Sequence, residues 1–231
     1  SWLSPPYADA VTIFFAGFIG IYTMYHVLSQ QLGIALTLMR VKPSALFRWF
    51  RWSATLAGVA MYTLAIANGK SLTLGVQPLN PWFWNAALVF IIITTVLSFY
   101  MVRDSSQRVG KLYLYSNVIM LWVIYGFLQL GYGVFVVVIP RFVHDVTAFT
   151  VYSVHDHNRN VERDNNFLYR PFRMMSPLVF CPLLAVVLSY LVENGLSFIP
   201  QLVFVLGILH YYVEGFIWKG PTLHRQQLSF C

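Results

Sequence analysis

Residues 112–139 read LYLYSNVIMLWVIYGFLQLGYGVFVVVI, an apolar run without a single charged residue, histidine or proline. How this stretch is divided decides the fold. A spanning helix needs about 20 mainly apolar residues. One long tilted helix here gives a chain of six spans. Two helices separated at Gly131 and Gly133 give seven.

Working outward, the same hydropathy marks five further candidates. The expected spans are 7–30, 53–68, 82–102, 111–130, 132–154, 176–192 and 199–218. Pro78 and Pro81 precede the third. Asn194 and Gly195 break the chain after the sixth, and Pro200 suits the first turn of the seventh.

Charge placement chooses between the two divisions. With seven spans, the basic residues of 40–51, 103–111, 159–173 and 219–225 fall on one side. The other side receives only Lys70, and Arg141 falls within a span. Short cytoplasmic loops collect Lys and Arg, so the rich side is inside. Six spans would put the arginines of 159–173 opposite the earlier basic loops. The expected fold is therefore an all-α, polytopic membrane bundle of seven spans. Its N-terminus is outside and its C-terminus cytoplasmic, and residues 1–231 form one transmembrane helical domain.

Composition agrees. Of the 231 residues, 58% are hydrophobic and 10% charged, and mean hydropathy is +0.64. Soluble domains carry about 25% charged residues. Disorder, collagen, a disulfide scaffold and a soluble nucleic-acid binder are excluded. The net charge of +7 reads first as a topology signal. Cys181 and Cys231 form no disulfide framework. The chain begins at Ser1, from which N-terminal processing or truncation is expected. Ser1 to Tyr7 lacks the basic region that opens a signal peptide. A multi-pass protein of a bacterial inner membrane is the expected setting.

Ionisable residues inside spans are expensive, so each needs a reason. The candidates are His26 in the first helix, Arg141, His144 and Asp145 in the fifth, and His155, Asp156 and His157 at its inner end. His210 and Glu214 lie in the seventh. His210 and Glu214 are four apart and project from one helix face. They can ligate one metal, or one can orient the other. His144 and His155 share a face, about 20° apart in rotation, but lie about 16 Å apart along a helix. They cannot hold one ion without a break. Arg141 and Asp145 can pair with each other, which explains both structurally.

His26, His155, His157, His210 and Glu214 are thus the expected metal set, at similar depth near the inner surface. Imidazole with carboxylate suits iron, zinc, copper or manganese. Arg141, His144, Asp145 and Asp156 are expected to form the surrounding polar cluster, with a proton route as one use. The plainer readings stand beside these. A lone intramembrane histidine is often a hydrogen-bonding helix contact. HDHNRNVERDNNFLYRPFR, from His155 to Arg173, also reads as a solvated loop, and His224 as a surface residue.

Trp49, Trp52, Trp82, Trp84 and Trp218 fall near span ends, as an interfacial belt requires. Tyr211 and Tyr212, beside His210, could line a pocket. No P-loop, CxxCH, paired CxxC, GxSxG, HExxH or HxxHH box is present. The last helix has only Lys219 at its end, so a retinal Schiff base is excluded.

The segment His210-Tyr-Tyr-Val-Glu214-Gly-Phe-Ile-Trp218-Lys219 resembles the last helix of carotene-cleaving dioxygenases of the Brp/Blh type. The resemblance covers about ten residues. It implies an iron held by histidines from several membrane helices.

The leading expectation is a membrane-embedded, non-haem, metal-dependent oxygenase or hydroxylase, with iron favoured, acting on a lipid or isoprenoid. A second is a non-catalytic subunit of a larger membrane complex, with other membrane subunits as partners. A third is haem b held by two histidines. A proton-coupled transporter using Arg141, His144 and Asp145 lacks the repeat that such folds carry. Nucleic acid is not expected as a partner.

Overall fold

The computed structural model describes residues 5–67, 73–74, 77–103, 105–160, 183–184, 186–187, 190–191 and 209. Five helices dominate them. They are α1 (Pro5–Met39), α2 (Ala45–Ala67), α3 (Asn80–Met101), α4 (Arg108–Gln129) and α5 (Phe135–Asn160). Between α2 and α3 the chain makes a minimal antiparallel pair, β1 (Thr73–Leu74) with β2 (Gln77–Pro78). The chain divides into two compact units, Ser1–His144 and Asp145–Cys231.

The apolar run 112–139 is two helices. Leu130 ends α4, and Gly131 takes φ +86°. The Gly131 amide donates to the Leu128 carbonyl, and the Tyr132 amide to the Phe127 carbonyl. That pair of bonds is a Schellman stop, which needs a left-handed residue at the position Gly131 fills. The undivided helix is therefore excluded. α1 ends in the same way at Arg40, with φ 56° and bonds from Arg40 to Thr37 and from Val41 to Leu36.

α1 is longer than the expected 7–30, and its end at Met39 moves His26 from near a helix terminus to the interior. α2 starts earlier than expected, so Arg48 and Arg51 are helical. α5 continues past 154, so the first residues of the polar stretch after His155 are helix and not loop. The expected sixth and seventh spans lie almost wholly outside the described residues.

In the first unit α2 packs against α1, α3 and α4, and α1 and α3 each pack on α4. The core joins Leu28, Leu32 and Ala35 of α1 to Phe50, Ala57 and Met61 of α2, Ile91 of α3, and Leu114, Leu121 and Ile124 of α4. Small residues of α2 allow the close approach. The buried Thr94 hydroxyl bonds Ser53 across the α2–α3 contact at 2.9 Å. At one end of the bundle the Ser105 hydroxyl donates to the Met39 carbonyl at 2.8 Å, and Gly110 lies against the backbone of Leu38 and Met39. The α1–α2 and α3–α4 connections therefore share an end, and most of the unit's basic residues lie there.

Two of the described helices, α3 and α4, are long and apolar enough to cross a membrane. Their large apolar side chains are in good part outward. Ile92, Val96 and Phe99 of α3 and Leu112, Ile119 and Val123 of α4 are exposed.

In the second unit the described residues are the later part of α5 and short helical pieces near 183–191 and at 209. Leu183, Leu184, Val186, Val187, Tyr190 and Leu209 are exposed.

Candidate functional site

The deepest titratable side chain described is His144, 2% exposed. It sits one turn after Pro140 on α5. Pro140 has no N–H, so it removes one bond from the helix and opens the preceding turn. Positions 136, 140 and 144 form one face at helical spacing, and all three are buried.

That face meets α1. The rings of His26 and His144 stand edge to face, with centroids 5.5 Å apart and planes at 71°. The Nε2 atom of His26 and the Nδ1 atom of His144 are shielded from solvent. Further along α1, the Gln31 side-chain amide donates to the Pro140 carbonyl at 3.2 Å. The two contacts run in opposite order along the two helices. Moving from His26 to Gln31 on α1 means moving from His144 back to Pro140 on α5. The first turns of α5 thus run against α1 or cross it steeply. Simple alternation of spans would send these two helices the same way.

A centroid spacing of 5.5 Å is that of an ordinary edge-to-face ring pair, and it is also short enough for a shared ion. A metal–imidazole bond is about 2.0–2.1 Å, so two ring centroids around one tetrahedral ion lie roughly 5 Å apart. Two imidazoles on opposite sides of one iron lie roughly 6.3 Å apart on the same bond lengths. The observed 5.5 Å lies nearer the first value. The donor type also fits a borderline transition metal. Two imidazoles are fewer than the three or four donors of a closed site. Among the described residues no group of three or more His, Cys, Asp or Glu is placed to hold an ion.

Set against the expected site, His26 is where a ligand could act, but its described neighbour is His144. The sequence had put His144 in the polar cluster with Arg141 and Asp145. Arg141 is exposed, Asp145 is half-buried, and only His144 is fully buried. His155, Asp156 and His157 lie on the last turns of α5, and their side chains lie outside the described residues. His210 and Glu214 lie outside them altogether. Gln31 is absent from the expected set, although it is wholly buried. Its signal was available, since Gln30 and Gln31 interrupt an apolar helix with no charge nearby to explain them.

On the core side of this contact, Met24, Leu28, Gly58, Met61, Leu121, Ile124, Val136 and Pro140 meet with no room for a water molecule. The lining is apolar. This part of the first unit is a packed core and not a substrate chamber.

Comparison with protein-family models, with curated proteins and with solved structures finds no match for this chain.

Proposed function

We propose that the chain is a multi-pass membrane protein in which His26 and His144 supply the first two donors of a transition-metal centre. Iron is the favoured metal, and the chemistry is oxidation of a lipid or isoprenoid. The observation that carries this reading is the meeting of two imidazoles from α1 and α5 at 5.5 Å inside an apolar bundle. Histidines inside spans are costly and need a function or a partner. The outward apolar faces of α3 and α4 support the membrane setting. The shared end of the α1–α2 and α3–α4 connections, with its basic residues, suits a cytoplasmic face at that end. The likeness of the segment His210–Lys219 to the carotene-cleaving dioxygenases supports iron.

Metal analysis of detergent-purified protein, never exposed to chelator, tests the reading. The expected result is about one transition-metal ion per chain, as in mononuclear sites, lost in His26→Ala and in His144→Ala. The same measurement on His155→Ala, His157→Ala, His210→Ala and Glu214→Ala tests each of the other expected donors separately. Metal-free protein, or metal retained by both variants, would overturn the proposal.

The second reading is a non-catalytic subunit of a membrane complex. The closely packed apolar contact of Met24, Leu28, Met61 and Ile124 is compatible with it. Stoichiometric copurification of partner chains, together with absence of metal, is its expected signature.

A further inference from the structure

The basic end of the first unit carries unbalanced charge. Lys42, Arg48, Arg51, Arg103, Arg108 and Lys111 lie in or beside the α1–α2 and α3–α4 connections. The hydrogen bond from Ser105 to Met39 and the contact of Gly110 with Met39 bring those connections together. Between Arg40 and Lys111 the sequence holds one carboxylate, Asp104. None of the six basic residues has an ion pair among the described residues.

What borders these charges is apolar. Trp49 is 71% exposed beside Arg48. Phe99 and Tyr100 are exposed one turn before Arg103, and Val109 and Leu112 are exposed beside Arg108 and Lys111. The Arg51 guanidinium lies 6.0 Å from the ring centroids of Tyr25, Phe47 and Trp52, and its Nε makes no hydrogen bond among the described residues. A polyanion in water would leave the tryptophan and the α3 and α4 apolar residues uncovered. A molecule with an anionic head and hydrocarbon tails satisfies both.

We propose that this end is a binding surface for the headgroup phosphates of anionic phospholipids, with the acyl chains lying along the exposed faces of α3 and α4. The proposal rests on the membrane reading above and is independent of the metal.

The test uses the full chain in detergent, titrated with phosphatidylglycerol or phosphatidylcholine, with retained lipid read by native mass spectrometry. The wild type is expected to hold phosphatidylglycerol at least about tenfold more tightly. The triple variant Arg48→Gln, Arg103→Gln, Arg108→Gln removes only exposed side chains. It should lose roughly fivefold in that affinity per charge removed. Equal retention of both lipids, an unchanged triple variant, or complete displacement by millimolar inorganic phosphate overturns the proposal. Flotation separates the two readings. Protein that floats with neutral vesicles but shows no headgroup preference keeps the membrane reading and ends this one. Protein that floats with no vesicle ends both.

Discussion

The side-chain amide of Gln31 donates to the main-chain carbonyl of Pro140, at 3.2 Å and inside the protein. An α-helix assigns that same carbonyl to the amide of His144. One glutamine of α1 therefore shares the acceptor that holds the turn carrying His144, and it does so where Pro140 has already cost α5 a bond.

Gln31 also has an unmet need. Its Oε1 is buried and makes no hydrogen bond among the described residues. A lost hydrogen bond costs about 1 kcal/mol, while an unsatisfied buried oxygen costs about 1–3 kcal/mol. Gln31→Leu should therefore leave thermal stability unchanged or raise it slightly. A loss of more than about 2 kcal/mol would mean that Oε1 has a partner such as an ordered water or an ion.

His144 can be separated into its shape and its nitrogen atoms. His144→Leu keeps nearly the same volume against His26 and should hold stability within about 1.5 kcal/mol, as volume-conserving swaps do. His144→Ala leaves a cavity and should cost about 2–4 kcal/mol. If the pair ligates metal, both variants lose it equally. If the pair is only a packing contact, metal content does not change and only His144→Ala is unstable. Parallel metal analysis and thermal denaturation give the answer.

Two helical glycines should respond oppositely to alanine. A Cβ at Gly110 would lie 2.5 Å from the Met39 backbone nitrogen, while at Gly126 it would meet nothing within 4 Å. Alanine in an open helical position gains about 1 kcal/mol over glycine. Gly126→Ala should show that gain. Gly110→Ala must push α1 away from α4 and should cost about 1–3 kcal/mol, the usual range for overpacking. Equal behaviour of the two would remove the close contact of α1 and α4 from the fold.

Arg40 and Gly131 occupy the same place in two Schellman stops, with φ 56° and +86°. The left-handed region costs an ordinary L-residue roughly 1–2 kcal/mol. Arg40→Gly should therefore stabilise by about 1 kcal/mol, and Gly131→Ala should destabilise by about the same amount. Denaturation midpoints of the two variants, measured in one detergent, are the check.

The helices were legible because hydropathy and punctuation act locally. Gly131 marked the stop of α4 in the sequence, and α3 and α4 begin and end within a few residues of expectation. The end of α1 was not legible, because Arg40 is a poor predictor of a left-handed stop and Gln30 and Gln31 read as the close of the apolar span. The site was less legible still. Spacing along one helix related His144 to Arg141, Asp145 and His155, but whether His144 meets His26 depends on how α5 crosses α1. Pro140 and the buried Gln31 meet at that crossing. Neither is titratable, so a search for charged groups passes over both.

The Ser53–Thr94 contact tests how α2 and α3 are held. The Thr94 hydroxyl lies 2.9 Å from the Ser53 hydroxyl and 2.7 Å from the Phe90 carbonyl. The Ser53 hydroxyl in turn donates to the Phe50 carbonyl at 2.9 Å. Thr94 has one proton and two acceptors. When Ser53 is removed, Thr94 turns to its own helix and stays satisfied. A double-mutant cycle of Ser53→Ala and Thr94→Val should therefore give a small coupling of about 0.6 kcal/mol, the average for such bonds between membrane helices. A coupling near 2 kcal/mol would exceed the largest of those values. It would require Thr94 to depend on Ser53 alone, which its 2.7 Å approach to Phe90 excludes.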